Sequence, residues 1–546
     1  MSICPKKQNR EQLAAIFPVC FAALSFLALT LSYWLSHPLT CAPDQALYIN
    51  MGELLLSGLR PYVDMYDNNP PLIIYLSVIP AVVAQAFAVP PTLGFSLSVC
   101  ALSLVSMALG ALVLVLARKE GEQAFPLHWS SLYLPAALVI LALSYFDLNQ
   151  RIDFGQREHL FVLLYLPFFI LRYCRAGALR LPRSAAWLGV LIGLLAGVGL
   201  ALKHYFVLVA LAPEFVWFLM RRNPRVFFSG EVYACLFAIG VYLLHFCFLD
   251  REILSGLFDF VVPIYKEGYS YYTNSFVYNF TTVWRLEFLY LFIASFLALL
   301  LAPAAADGGA LLFGMLAFGL VSQVIYLLAG QSWQYHVLPV RFASCAALFI
   351  EAGLIISRLM RRYPRIGFAL GALPVLLLLA NSAWGRYAEY ISEEEQQDKF
   401  DLALLGYRGT GYAGEMSVFA EKILSETKRG DSVLFISPAM SPGYPAIVQT
   451  GRRPASRFLH GLTFPLLDAV LQTPNLQNKE KLAALQNKMV KEYGEDIRAH
   501  KPRLIFIDRV AVDNRLRTFN FQDSYMNDYK MVEEISGILI YKREGG

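Results

Sequence analysis

Twelve apolar segments constrain this chain more than any other feature of its sequence. A helix that spans a bilayer needs about 20 apolar residues, and the segments approach or exceed that length: 13–35, 71–89, 93–117, 131–147, 159–174, 185–202, 204–220, 226–249, 285–303, 308–330, 338–357 and 365–383. Of the 546 residues, 57% are hydrophobic and only 16% are charged, whereas soluble domains are about a quarter charged. A single soluble core cannot bury this much apolar surface. The sequence therefore predicts a polytopic α-helical membrane protein, and its net charge of +5 is too small to indicate a nucleic-acid partner.

The basic loops orient these segments, because positively charged loops tend to stay in the cytoplasm. If all twelve segments cross and the N-terminus is cytoplasmic, three arginine-rich loops fall outside, namely 172–183, 221–225 and 358–365. All three move inside if segment 71–89 does not cross. That segment is flanked by Pro-Pro pairs and contains Pro80, so it suits an interfacial or re-entrant helix. We therefore expect about eleven membrane-spanning helices plus interfacial helices, with external loops at 36–92, 148–158, 203–204, 250–284 and 331–337.

The first apolar stretch follows Lys6, Lys7 and Arg10, a pattern that a cleaved signal peptide would also show. The stretch is long for such a peptide, and no clean small-x-small cleavage site follows it. We therefore expect a retained first helix with a cytoplasmic N-terminus. The eight cysteines form no CxxC or Cys/His cluster, so the pattern does not predict a zinc site.

The composition becomes polar after Trp384, and this predicts a second domain. Short apolar runs at 432–437, 503–508 and 538–541 are typical of buried strands, and 479–493 has a helical pattern. We expect a transmembrane domain over 1–385 and an external, soluble α/β domain over 386–546. The sequence of this second domain contains no glycine-rich phosphate loop, and we interpret the domain as an acceptor-recognition or capping element.

Acidic residues in the first external loop are candidates for chemistry. Asp44 directly follows the first apolar segment, and an amphipathic pattern after it predicts a short interfacial helix. Asp64 and Asp67 precede the Pro-Pro pair at 70–71. Three acids near one membrane face could bind a cation or serve as a general base, and Asp64 and Asp67 could equally be solvated surface residues.

Other ionisable and aromatic residues border the later segments. Ionisable groups at that depth are costly unless they are paired or functional. Asp153, Arg157 and Glu158 are candidates that could instead form a structural Arg–Glu pair. Lys203, followed by His204, could be a snorkelling lysine, and Tyr335 could belong to an aromatic belt, whereas His336 and Arg341 beside it indicate more. Tyr269 lies in an aromatic-rich loop that could anchor in lipid.

These residues together resemble a known superfamily. The chain is similar to the GT-C polyprenyl-phosphate-sugar glycosyltransferases, in the group of glycosyltransferase family 39 with protein O-mannosyltransferases and lipid A aminoarabinose transferases. The resemblance covers about 1–385. It rests on Asp44 within PDQALYINMGELLLSGLRPY, on DNNPPLIIYL, on Glu158-His159-Leu160 and on QYHVLP. Such enzymes carry a membrane-surface helix after the first external loop, and many carry an external C-terminal domain.

The resemblance implies an inverting transfer from a sugar on a polyprenyl monophosphate, on the external face. Asp44 matches the catalytic acid of the first loop and would act as general base. The second acid is Glu158 or Asp153. By charge and predicted side, Lys203, Arg157, His336 and Arg341 are candidates to hold the donor phosphate. Further substrate-binding candidates are Asp67, His204, Tyr335 and Tyr269.

Two features of the resemblance leave questions open. Many members have a lysine before the Pro-Pro pair, where this chain has Asn69. Some members use a divalent cation, which Asp44 with Asp153 or Glu158 could hold, and no sequence motif decides this. No other cofactor is expected.

Rival functions are a secondary transporter or lipid flippase, an O-antigen ligase or polymerase with a diphosphate donor, and a non-catalytic scaffold. A transporter is disfavoured because the halves show no repeat and the polar residues lie at one face. We expect a glycosyltransferase of a bacterial inner membrane with an external, periplasmic C-terminal domain. Its partners would be membrane lipid, a polyprenyl-phosphate-linked sugar, and a glycolipid, polysaccharide or protein acceptor.

Overall fold

A computed structural model of the protein describes residues 41–117, 154–177, 179–271, 273–282, 286–301, 309–331, 333–362, 415–461, 463–473 and 478–544. Three predicted apolar segments, 13–35, 131–147 and 365–383, lie outside these residues, as does Asp153. The expectation of a retained first helix therefore stays a prediction. Each of the other nine predicted segments contains helix.

The described helices are numbered in chain order: α1 (Pro43–Leu56), α2 (Pro71–Leu76), α3 (Val78–Ala86), α4 (Pro91–Leu116), α5 (Arg157–Ala176), α6 (Ala186–Ala201), α7 (Phe206–Arg221), α8 (Gly230–His245), α9 (Arg251–Ser255), α10 (Val262–Tyr271), α11 (Phe276–Thr282), α12 (Leu286–Leu301), α13 (Gly309–Ala329), α14 (Leu338–Arg362), α15 (Glu415–Glu426), α16 (Gly443–Gln449), α17 (Thr463–Leu471), α18 (Lys479–His500), α19 (Asn514–Arg517) and α20 (Phe521–Tyr525). The described strands are β1 (Ser432–Ile436), β2 (Arg453–Pro454), β3 (Leu504–Asp508), β4 (Tyr529–Ile535) and β5 (Ile538–Arg543). A π-helical turn over Gly256–Val261 joins α9 to α10.

Among the described residues, five helices are long and apolar enough to cross a membrane: Pro91–Leu114, Arg157–Ala176, Arg183–Ala201, Gly230–Phe248 and Gly309–Ala329. Segment 71–89 forms α2 and α3 instead, which join at Ser77 and together make an apolar stretch shorter than a span. The chain is thus mostly helical, with several helices fit to cross a bilayer. The expected total of about eleven stays a prediction.

The chain folds into two compact units, each of which has most of its contacts within itself. Unit 1 comprises Met1–Ser36, Val99–Leu244 and Asn274–Gln397, and unit 2 comprises His37–Ser98, His245–Thr273 and Asp398–Gly546. The expected domain boundary near residue 385 lies outside the described residues. It stays a prediction.

In unit 1, helix α6 packs closely on α8 through glycine. Gly193 and Gly197 lie about one turn apart and therefore share a face of the helix. A Cβ at Gly193 would lie 2.2 Å from the carbonyl oxygen of Glu231, and one at Gly197 would lie 2.4 Å from that of Cys235. Small residues at this spacing let membrane helices approach backbone to backbone.

Unit 1 also contains a buried network of ion pairs between α5, α7 and α8. Arg172 Nε lies 2.6 Å from Glu214 Oε1, and Arg172 Nη1 lies 3.3 Å from Glu231 Oε1. Arg175 Nε lies 2.9 Å from the same Glu231 oxygen. Two cations thus face two carboxylates, so the buried charges compensate one another. We therefore assign this network a structural role.

The C-terminal part of unit 2 is the predicted α/β arrangement. Its described strands form one mixed sheet in the order β2-β1-β3-β5-β4. The strand β1 pairs in parallel with β2 and β3, whereas β5 pairs antiparallel with β3 and β4. The apolar runs that predicted strands became β1, β3 and β5, and the helical pattern at 479–493 became α18. We refer to residues 415–544 as the C-terminal module.

Segments distant in sequence pack together within unit 2. Tyr66 of the first loop forms a β-bridge with Phe458 of the C-terminal module, and their rings stack. Gly256 of the π-helical turn lies so close to the carbonyl oxygen of Tyr62 that a Cβ would come within 1.9 Å of it. Tyr444 donates to Asn50 Oδ1 of α1 at 2.6 Å. Parts of three regions that the charge rule places outside the membrane therefore share one compact unit.

Candidate functional site

The first polar cluster lies in unit 1 and consists of Glu158, Lys203 and His336. The Lys203 ammonium group donates a hydrogen bond to Glu158 Oε1. His336 Nε2 lies 3.1 Å from Lys203 Nζ and 3.6 Å from Glu158 Oε1. All three side chains are almost fully buried. The structure thus joins three residues that the sequence nominated separately, and we call them the lysine cluster.

Each member of the lysine cluster lies at the start of a helix or in a turn between two helices. Gly155, at φ +74°, precedes α5, and its N–H donates to His159 Nδ1 at 3.0 Å. Glu158 then falls in the first turn of α5, where the helix dipole favours a carboxylate. Lys203 lies in the short reversal between α6 and α7, and His336 lies in the 3-10 turn before α14.

The surroundings of His336 keep its imidazole neutral. Burial, with the positive charges of Lys203 and Arg157, holds the pKa of His336 well below its ordinary value. Because a lysine ammonium only donates, the Nε2 atom of His336 accepts from it and Nδ1 carries the proton. The Lys203 ammonium also lies 5.5 Å and 5.7 Å from the ring centres of Tyr205 and Tyr335, within the range of cation–π attraction. Tyr205 is a neighbour that the sequence did not single out.

The remaining predicted residues of unit 1 lie around or away from this cluster. Tyr335 meets His336 edge-on, with ring centres 4.5 Å apart. His204 is exposed and meets the Tyr205 ring edge-on. Arg341 bonds to Glu287, with Nε 2.6 Å from Oε1. A phosphate-binding role for Arg341 stays a prediction, and it would share a guanidinium that Glu287 already engages.

The second polar cluster lies in unit 2, around Asp67. Its carboxylate accepts the N–H of Asn69 at 2.7 Å, and its Oδ2 lies 3.5 Å from His460 Nε2 of the C-terminal module. Burial would raise the pKa of Asp67, but the contacts with His460 and Asn69 outweigh it and hold that pKa below the ordinary value. Asp67 is therefore ionised at neutral pH. We call the two residues the Asp67–His460 pair.

Tyr269, another predicted substrate-binding residue, lies beside the same loop. The Asn68 amide donates to the Tyr269 hydroxyl oxygen, and Tyr265 OH lies 2.9 Å from Thr463 Oγ1. The helix α10 therefore contacts both the first loop and the C-terminal module. Sequence reasoning missed His460, because an isolated histidine in a polar region carries no motif.

Asp44 occupies the first turn of α1, next to Pro43 and half-buried. The Gln45 side chain caps this helix, accepting the Ala42 N–H at 2.8 Å. A carboxylate at a helix N-terminus is stabilised in its ionised form, which suits a general base. Within the described part of the chain, no group of three or more His, Cys, Asp or Glu residues could hold a metal ion. A cation held by Asp44 with Glu158 or Asp153 stays a prediction.

Comparison with known proteins gives little further information. No protein-family model matches the chain, and no curated protein matches it. Among solved structures, the chain is similar to the crystal structure of the Archaeoglobus fulgidus oligosaccharyltransferase in complex with Zn and sulfate. The identity is 11% and the TM-score is 0.45, over 96% of this chain and 73% of that chain. A likeness this weak carries no argument about function.

Proposed function

We propose that this chain is a membrane glycosyltransferase that moves a sugar from a polyprenyl-phosphate donor to an acceptor hydroxyl at the external face. The observation that carries the proposal is the lysine cluster. It gathers a lysine, a neutral histidine and a carboxylate from three loops that the charge rule assigns to one membrane face. Ionisable groups held together at such a depth are functional candidates by default.

The lysine cluster suits a phosphate group chemically. A lysine ammonium has three donors, so Lys203 can bond to a phosphate oxygen while it keeps its bond to Glu158. His336 orients the Lys203 ammonium group through Nε2, and Arg157 adds a positive charge close enough to act on His336. Such donors stabilise the negative charge that develops on a leaving phosphate. Glu158 then positions Lys203, and Asp153 stays a second candidate for an acidic role.

The reaction follows from these roles. Asp44 takes the proton of the acceptor hydroxyl, and the acceptor oxygen attacks the anomeric carbon of the sugar. The bond from that carbon to the phosphate oxygen breaks, and polyprenyl phosphate leaves with the bonding electron pair. One displacement inverts the anomeric configuration. Asp67, Tyr269, His204 and Tyr335 are proposed to contact the substrates.

The packing of unit 2 supports the proposed sidedness. The first loop, the region after α8 and the C-terminal module belong to one compact unit, so the membrane cannot separate them. We propose that all three are external to a bacterial inner membrane, while the N-terminus is cytoplasmic.

The test compares lipid-linked sugars and surface glycans by mass spectrometry in cells with matched protein levels. Asp44→Asn and Lys203→Ala are expected to accumulate one polyprenyl-phosphate sugar and to lose one glycan residue. Asp64→Asn is the matched control, because Asp64 lies in the same loop in an exposed pair with Arg60. Unchanged lipids and glycans in the Asp44 variant would rule out its catalytic role and favour transport or scaffolding.

A further inference from the structure

Asp67 and His460 meet where the first loop joins the C-terminal module. The preceding residues reinforce the junction, because Tyr66 stacks on Phe458 and its N–H donates to the Arg457 carbonyl oxygen. Asp67 and His460 are both buried, with side chains 1% and 3% exposed. A charged carboxylate and an imidazole in such a position need partners for every polar atom.

Some of those partners are missing. Among the described residues, Asp67 Oδ2, His460 Nδ1 and the Tyr493 hydroxyl are buried polar atoms without a hydrogen-bond partner. The contact of Asp67 Oδ2 with His460 is longer than an ordinary hydrogen bond. The Tyr493 ring lies against Phe458, two residues before His460, with ring centres 4.5 Å apart. Each buried and unsatisfied group costs about 1–3 kcal/mol, and native proteins fill such sites with water or ligand.

The pair sets the chemistry of what can fill the site. An ionised carboxylate only accepts hydrogen bonds, so the imidazole nitrogen that faces Asp67 carries the proton. When that imidazole is neutral, Nδ1 has a lone pair and accepts. The group that suits it is an O–H donor, and the Tyr493 hydroxyl can donate or accept in turn.

We propose that the Asp67–His460 pair is a binding site for a hydroxyl of the acceptor, in which His460 Nδ1 accepts the hydrogen bond. The first loop and the C-terminal module form this site together, so the module takes part in acceptor binding. The inference rests on the proposed glycosyl transfer. A water molecule offers the same O–H chemistry, and the experiment separates the two.

The kinetic test uses the full-length protein in lipid nanodiscs with saturating donor. The acceptor probe is the glycan fraction from Asp44→Asn cells, in which the proposed function predicts that unmodified acceptor accumulates. His460→Ala is expected to raise the KM for this fraction about tenfold, which corresponds to about 1.4 kcal/mol, with kcat within twofold of the parent. His460→Gln restores most of the affinity, because its amide oxygen also accepts. The control His500→Ala alters an exposed histidine of the same module and leaves KM unchanged.

An unchanged KM in His460→Ala would mean that the site holds only water, and would overturn the proposal. Nitrogen-15 NMR of histidine-labelled protein, with His460→Gln to assign the signal, supplies a readout that does not depend on transfer or on the folding of His460→Ala. We expect an Nδ1 without a proton, and a shift of its signal when the acceptor fraction is added. A protonated Nδ1, or a signal that does not move, overturns the proposal. An absence of transfer in the parent protein, with this tautomer present, refutes the glycosyltransferase function and leaves the geometry of the pair intact.

Discussion

Variants of Lys203 and Glu158 can separate a structural role of Lys203 from a role in glycosyl transfer. Both side chains are buried, 9% and 1% exposed, and they bond directly to each other. Removing one partner of a buried ion pair leaves the other charge uncompensated and costs about 3–5 kcal/mol. Replacing both partners by neutral groups of similar shape is often nearly neutral. Lys203→Met and Glu158→Gln keep the approximate shapes and remove the charges.

We expect each single variant to lower the free energy of unfolding by about 3 kcal/mol or more, and the double variant to recover most of that loss. Glycosyl transfer behaves differently. The double variant still lacks the ammonium group that is proposed to bind the donor phosphate, so its transfer rate stays at least 100-fold below that of the parent, on the scale of about 3 kcal/mol for a lost charge-stabilising donor. Stability returns and activity does not.

The assay combines thermal unfolding in nanodiscs with transfer measured by mass spectrometry. Glu214→Gln is the matched control, because it removes one carboxylate from the buried Arg172 network, which has no proposed part in transfer. That variant should lose stability while the folded protein keeps its specific activity. If the Lys203→Met/Glu158→Gln double variant transfers sugar at the parent rate, Lys203 only neutralises Glu158, and the phosphate-binding role is refuted.

Two further predictions concern stability. Burial raises the pKa of Glu53 to about 7, against a hydrogen bond from Asn50 and the charges of Arg429 and Arg453. The associated stability is present below pH 4.5 and is lost as pH rises through about 7, so Glu53→Gln should stabilise the protein at pH 8 and not at pH 5. The gain is about 1–2 kcal/mol after allowance for partial exposure, and equal melting shifts at both pH values would contradict it. Gly193→Ala should cost about 1–3 kcal/mol by pushing α6 away from the Glu231 carbonyl oxygen. Gly240→Ala, where a Cβ meets nothing within 4 Å, should cost nothing, and identical melting temperatures would refute the argument.

Local sequence predicted most of the described secondary structure, because apolar length and short β-rich runs are local signals. Strands β1, β3 and β5 are buried apolar runs, and they were predicted for that reason. Strand β4 was missed because its YKMVEEI sequence is polar and largely exposed, and it is held by its pairing with β5. Strand β2 has only two residues, too few for any periodicity.

The sequence predicted which residues belong to the candidate site, but it did not predict which of them are in contact. Glu158, Lys203 and His336 were nominated because ionisable groups beside apolar segments need a reason to be there, but no local pattern says that the three meet. Arg341 was a candidate for the same reason, but the sequence did not predict its partner, Glu287 at the start of α12. No local pattern marks His460, because its significance comes only from Asp67, which lies far from it in sequence.

Contacts within unit 2 bear on membrane topology, which hydropathy alone cannot decide. Arg60 pairs with Glu252, and Asp67 contacts His460, so these four residues lie on one side of the bilayer. An even number of crossings must therefore separate residue 67 from residue 252. Seven predicted apolar segments lie between them, so at least one does not cross. Segment 71–89 has the sequence least suited to cross, and it forms the short helices α2 and α3. If it does not cross, six crossings remain. Four predicted segments separate residue 252 from His460, which is already even. Charge distribution and loop packing are independent observations, and both place the first loop and the C-terminal module on the same side of the membrane. That this side is external stays a prediction of the charge rule.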